Sequence, residues 1–259
     1  MVRGGQRPPG SHGVRLDRPA RPWNGLGSRP ERVKHPCPAR NRAVSSRNRG
    51  LDKNVRSFYY LRVRKGERTK GEILGKGVGM ASELGIEALT IGSLAKEVGM
   101  SKSGLYAHFA SKEDLQCQLV DAAAERFVAI VAAPAVRQPR GIPRVRAFFE
   151  NWLAWENDVL MPGGCLFVAL AFELDSRPGP VRDRLVAQQR RWLDALATAA
   201  RIAVDEKQFR SDLDPRQFAY DMYSIILGYH FFARLMHDPE AESRTRGSFE
   251  RLIASARAR

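Results

Sequence analysis

The chain has 259 residues, with 43 Lys and Arg against 28 Asp and Glu for a formal net charge of +15. That is long enough to bury a full hydrophobic core in one or two domains. No apolar run reaches membrane-helix length, no apolar signal segment opens the chain, and Cys37, Cys117 and Cys165 have no paired spacing. These features argue against membrane-spanning, secreted disulfide-framework and Cys-rich zinc classes, and a cytoplasmic protein is expected. The charge is not evidence for a nucleic-acid partner. Residues 1–65 hold 17 basic and 3 acidic residues, while residues 66–259 hold 26 and 25.

Residues 1–60 are rich in Arg, Pro and Gly and poor in periodic apolar residues, so disorder is expected. They read as an Arg-rich arm adding nonspecific phosphate affinity, as a solvated tail, or as leader sequence upstream of the true start. The composition favours the last, with Val55 or Val63 as alternative starts. A first helix is predicted over Thr69–Leu84, with Ile73, Leu74, Met80, Ala81 and Leu84 as its apolar face and Gly85 as its stop. Gly71, Gly75, Gly77 and Gly79 lie inside it, each costing about 1 kcal/mol against Ala. The helix is therefore expected to fray until docked. The run from Leu74 to Gly79 also invites a phosphate-loop reading, but no strand precedes it and its glycine spacing fits no complete nucleotide motif.

Residues 90–115 are the most informative stretch. Thr90 can cap a helix whose Ile91, Leu94, Ala95 and Val98 share one face. Gly99 suits the sharp turn that follows, because only glycine takes positive φ without penalty. Met100 plugs that turn. Ser101 can cap a second helix pinned to the domain by Leu105 and Phe109. The other face of this helix, with Lys102, Ser103, Gly104, Tyr106 and His108, is small or polar and suits a groove better than a core. Ser111 with Asp114 three residues on has the spacing of a capping box. Helix, tight turn and second helix in this order form a DNA-reading helix-turn-helix.

The segment from Leu94 to Leu115, above all Leu-Tyr-Ala-His-Phe-Ala-Ser-Lys-Glu, resembles the DNA-binding domain of the TetR/AcrR family of bacterial regulators. The resemblance implies an all-α fold of about nine helices. Residues 61–113 would be the DNA-binding domain and 114–259 a helical effector-binding and dimerisation domain. It implies DNA contacts by Thr90, Ser101, Lys102, Ser103, Gly104, Tyr106 and His108, and by Lys112 at a helix N-terminus suited to phosphate. Packing within the small domain is the competing reading for Tyr106 and His108. A basic arm, Arg62, Arg64 and Lys65, would lie on the DNA backbone or in the minor groove, against the plainer reading of a solvated flank.

Beyond the reading head a helix is predicted from Lys112 to about Ala133, closed by the Pro134–Pro143 region. Another from about Pro143 to Leu160 carries Val145, Phe148, Phe149, Trp152 and Leu153 inward. A helix from Cys165 to about Glu173 is apolar on every side, so full burial is expected. Val181 to Val204 places Val181, Leu185, Trp192, Leu196 and Ala199 inward. Asp214-Pro215 and Asp238-Pro239 are capping pairs for two more helices. The first of these runs to His237 with an apolar stripe from Phe218 to Met236, and the second ends near Ala256. His230 and His237 share a face, but no partners complete a metal site.

The stretch from Pro162 to Phe167 and on through Asp175 to Pro180 is similar to C-terminal domains common among actinobacterial members of the family. The family implies that this half binds a small effector and that the last two long helices build a four-helix interface in a homodimer. Candidate pocket residues are Trp152, Trp155, Phe167, Trp192, Tyr223 and Tyr229, each of which also reads as plain core. No catalytic constellation, metal site or cofactor motif is found. The leading expectation is a homodimeric repressor released from a palindromic operator in double-stranded DNA by an unknown small molecule. Competing expectations are a regulator without a ligand, an activator, an Arg-rich nonspecific nucleic-acid binder and a phosphate-loop enzyme.

Overall fold

The computed structural model describes residues 53–258, with side chains from residue 66 onward. Among these residues all regular structure is helical, as the sequence predicts. Helix α1, Lys53–Leu84, begins well before Thr69 and runs unbroken through Gly71, Gly75, Gly77 and Gly79. Gly71 and Gly75 face open space, whereas Gly77 and Gly79 sit where other parts of the chain press against the helix. A Cβ on Gly77 would lie 2.6 Å from Leu119 Cδ2, and one on Gly79 would lie 2.9 Å from the Leu160 carbonyl oxygen. The expected fraying is thus corrected: two of the glycines are what lets the helix dock. Because Gly75–Gly79 is helical, no loop exists there to cradle phosphate. Ile73, Val78 and Ala81 carry the buried face, while Leu84 is exposed, contrary to expectation. The tail readings on residues 1–52 lie outside the described residues. Val55, Val63, Arg62, Arg64 and Lys65 belong to α1 by backbone, and their side chains lie outside the described residues.

Helices α2, Ile91–Glu97, and α3, Lys102–Tyr106, follow. Next comes α4, Lys112–Phe127, continued by a π-helical turn over Val128–Ala132 into α5, Ala133–Val136. This rod does not close at Ala133. Pro134 cannot donate to the carbonyl four residues back and its ring crowds that carbonyl; the wider π turn absorbs the mismatch. Helix α6, Ile142–Glu156, starts with Pro143 in its first turn and stops short of Leu160. Helix α7 spans Leu166–Glu173, α8 Pro180–Asp205 and α9 Pro215–His230. The Asp214 carboxylate accepts from Arg216 N, the cap expected there. A second π turn, Phe231–Leu235, extends α9 until His237 enters the left-handed region at φ 49°. Asp238 accepts from Glu240 N ahead of α10, Ala241–Ala256. Counting α4 and α5 as one rod, the described residues form nine helices.

Long-range packing joins α8 to α9, α9 to α10 and α4 to both α1 and α8. Phe127, Phe148, Trp152, Trp155, Phe167 and Trp192 are buried, and Phe127 meets Trp155, Phe167 and Trp192 edge-on at 4.9–5.6 Å between centroids. Such pairs contribute about 0.5–1.5 kcal/mol each beyond their area burial. Phe149 and Phe249 stack at 3.9 Å and fasten α6 to α10. Two burial expectations are corrected. Phe172 on α7 is 68% exposed, since no element among the described residues covers that side. The Phe218–Met236 stripe divides: Phe218, Met222, Ile226 and Tyr229 point inward, while Phe232 and Met236 are exposed beyond the helical register of α9.

Candidate nucleic-acid interface and effector cavity

The reading head is built from local hydrogen bonds. Thr90 Oγ1 accepts from Ser93 N at 3.0 Å, and Ser93 Oγ accepts from Thr90 N at 3.1 Å, a reciprocal cap for α2. Gly99 turns the chain at φ 67°, and Met100 N donates to Ala95 O at 2.8 Å. Ser101 Oγ then accepts from Gly104 N at 3.1 Å to start α3. That helix is only five residues long and ends before Phe109, yet Leu105 and Phe109 are both buried and fix its pose. Ser111 caps α4 by accepting from Asp114 N at 3.0 Å. The short Asp114 side chain accepts from Ala110 N instead of closing the box on Ser111 itself.

Outward from this base stand Ser101, Lys102, Ser103 and Tyr106, all exposed, with Gly104 and His108 half-buried among them. Tyr106 is 57% exposed, which weighs against packing within the small domain. The Lys102 stem lies across Gly92, where a Cβ would come within 2.9 Å of Lys102 Cε. Gly92 was not anticipated as part of this site; the fold lays the flexible end of the Lys102 side chain over it. Thr90 is exposed at the head of α2. Lys112 is differently placed from expectation: its Nζ donates to Glu87 O at 2.7 Å and pairs with Glu87 Oε2 at 3.4 Å. What remains directed outward there is the start of α4.

The head is clamped to the body at the turn after α1. Glu173 of α7 accepts from Ile86 N at 2.9 Å and Glu87 N at 2.8 Å, while Gln116 of α4 donates to Ile86 O at 3.0 Å. Gly163, in the α6–α7 connection, donates to Ser82 Oγ at 3.2 Å. That connection is itself locked from α9. The fully buried Glu156 carboxylate accepts from Cys165 N at 2.8 Å and from Arg234 Nε at 3.2 Å, with His230 Nδ1 at 2.9 Å. Arg234 also donates to Pro162 O and Glu156 O. Replacing Glu173 with Ala is expected to cost about 1–3 kcal/mol by orphaning two backbone donors. Thermal unfolding should register this as a fall of roughly 2–4 °C per kcal/mol, together with faster exchange of the Ile86 and Glu87 amides.

Four of the six predicted pocket aromatics gather in one place. Trp152, Phe167, Trp192 and Tyr223 surround an inner cavity of about 10 Å³, and Trp192 also lines a groove of about 710 Å³ between α4 and α8. Trp155 and Tyr229 line neither. Trp155 is buried beneath the Arg126 guanidinium, and Tyr229 hydrogen-bonds Asn157 and meets Trp152 edge-on. Tyr223 OH accepts from Gln189 Nε2 at 2.5 Å, and burial pushes its pKa well above the usual phenol range. Burial, with the Glu156 charge adding to it, pushes the Cys165 thiol up to about 11, so it stays protonated and unreactive at neutral pH. The buried Gln188, which lines both cavity and groove, was missed at the sequence level. Among the described residues no three His, Cys, Asp or Glu side chains converge as a metal site, and no helix is long and apolar enough to cross a membrane.

Residues 73–116 match the family of bacterial regulatory proteins called tetR, and residues 141–249 match the tetracyclin repressor-like C-terminal domain. The chain is 30% identical over 151 residues to the HTH-type transcriptional repressor KstR2 of Mycobacterium tuberculosis, covering 56% of this chain and 71% of that protein. A TetR transcriptional regulator from Chloroflexus aurantiacus superposes with a TM-score of 0.68 at 21% identity, covering 76% of this chain and all of the other. AibR, solved in complex with isovaleryl coenzyme A and operator DNA, superposes with a TM-score of 0.59 at 19% identity, covering 73% and 99%.

Proposed function

The chain belongs to the TetR family of bacterial regulatory proteins, DNA-binding transcriptional regulators, and from that premise we propose that it is a homodimeric repressor released from a palindromic operator by a small effector. The observation that carries this reading is the exposed Ser101–Tyr106 face of α3, mounted on buried Leu105 and Phe109. Lys102, Ser103 and Gly104 enter the major groove, Tyr106 and His108 meet phosphate at its rim, and Thr90 with the start of α4 contacts the flanking backbone. Residues 61–113 form the DNA-binding domain and 114–259 the effector and dimerisation domain, with residues 1–60 outside both. The protein acts in the cytoplasm. KstR2 is a repressor by name, and AibR binds both isovaleryl coenzyme A and operator DNA; both support the reading.

Tyr220, Phe231 and Leu235 are exposed along the outward side of α9 and its π extension, and α10 packs beside α9. We assign these two helices to the dimer interface. It sets two copies of α3 about one DNA turn apart, matching two half-sites. Leu235→Glu should raise the dimer dissociation constant at least about 30-fold, the loss expected of a hot-spot residue of about 2 kcal/mol. Analytical ultracentrifugation checks this, and an unchanged dimer would remove α9 from the interface.

An effector in the α4–α8 groove acts through linkage. Carrying the protein from 1:99 to 99:1 in favour of a non-binding spacing needs about 5.5 kcal/mol of differential affinity. The Glu173 clamp and the Gly163–Ser82 contact are the joints through which a shift of α4 or α7 reaches α1. The test is selection of a binding site from a random duplex pool. A palindromic site bound by a dimer is the expected result; selection of no consensus, with binding that tracks only ionic strength, would refute sequence-specific regulation.

A further inference from the structure

The buried positions of α8, Val181, Leu185, Gln188, Trp192, Leu196, Ala199, Ala200 and Ala203, recur at helical spacing, and one of them is polar. Gln188 is 8% exposed. Its neighbour Gln189 is engaged with Tyr223 OH and the Phe167 carbonyl, but no described residue hydrogen-bonds the Gln188 amide. A primary amide carries two donors and two acceptor sites; neither amide atom of Gln188 is sealed from solvent without a partner, so this capacity is open to the groove.

Gln188 stands where the groove meets the inner aromatic cavity. The inner cavity has room for about one water at most, so the body of a ligand belongs in the groove, whose volume of about 710 Å³ lies in the small-molecule range. The groove walls there are Val120, Ala124, Phe127, Ala187, Trp192 and Ala195. Its charges balance: Asp121 pairs with Arg184, and Glu125 and Arg191 supply one of each sign. The groove thus carries no net charge to favour a charged ligand over a neutral one, and its walls suit an apolar surface with one uncharged hydrogen-bonding group.

We infer that Gln188 is the specificity-determining residue for a neutral, largely apolar effector bearing a carbonyl oxygen, which accepts from the Gln188 amide while the apolar body lies between α4 and α8. This rests on the assignment of the groove as the effector site. It also explains why an otherwise apolar helix face keeps one amide, since a site built to hydrogen-bond one oxygen rejects the analogue lacking it.

The experiment compares cyclooctanone with cyclooctane by equilibrium dialysis against the full chain and Gln188→Leu. A groove without a polar anchor favours the hydrocarbon, which gains more by leaving water. Wild type should instead bind the ketone at least tenfold more tightly, and Gln188→Leu should reverse the order. Tighter binding of cyclooctane by wild type, a ketone preference that survives in Gln188→Leu, or no binding of the ketone would overturn the inference. The melting temperature of Gln188→Leu without probe should hold or rise; a fall of several degrees would make Gln188 structural and likewise overturn it. Binding of the pool-selected palindrome, measured without probe on both proteins, should be the same. Failure of wild type in that assay refutes the regulator reading and leaves the dialysis result intact.

Discussion

Lys102→Ala should weaken specific operator binding strongly while leaving the dimer and the melting temperature nearly unchanged. Lys102 is exposed on α3, its stem rests on Gly92, and no hydrogen bond ties it to another described residue. Removing it therefore disturbs little within the protein, and an effect on operator binding would report the proposed DNA contact. A lysine on a guanine edge contributes about 1–3 kcal/mol of discrimination, or roughly 5- to 150-fold, in each half-site. A lysine on phosphate lowers affinity uniformly across sequences and reduces the salt slope by about one per contact. Titration of the selected palindrome and of a base-substituted duplex at two salt concentrations separates these roles. Unchanged affinity at both salts would remove α3 as the reading helix.

Gly163→Ala should be the most disruptive small substitution in the described chain. A Cβ there would overlap the Ser82 carbonyl and crowd Glu83 N, both of them α1 backbone. Neither side can yield cheaply, because the loop is held by Glu156 and Arg234 and α1 is packed on Leu119. Overpacking of this kind costs about 1–3 kcal/mol, occasionally more, so the melting temperature should fall by several degrees. Operator affinity should change too, although no DNA-contacting residue is touched, since the head must shift against the body. Gly71→Ala is the matching control: it meets open space on α1 and should stabilise by up to about 1 kcal/mol. Equal and small effects from the two substitutions would show that the loop does not grip α1.

Much of the site was legible because it is written in short-range chemistry. Thr90, Ser101 and Asp214 cap the helices assigned to them, and Gly99 makes the turn, each through atoms two to four residues apart. The inward register of α6 and α8 follows from apolar spacing alone. Gln188 was legible in principle, as the polar exception in that register, but only burial without a partner turns it from a surface glutamine into a candidate anchor.

The sequence by itself therefore determined the class of fold, the helix-turn-helix and the residues left exposed on its second helix, since caps, turns and amphipathic periods act within a few residues of themselves. The tertiary structure alone decided what depends on distant neighbours. It made Gly77 and Gly79 docking points rather than defects, bound the Lys112 ammonium to Glu87, sent Phe232 and Met236 outward, and sorted six aromatics into four around a cavity and two in the core. The contacts responsible, such as Glu173 with Ile86 or Gly163 with Ser82, join residues more than eighty positions apart. Helical periodicity carries no information over that separation. The Thr90–Leu115 stretch could be read directly for that reason, while the joints that connect it to the rest of the helical body had to be seen.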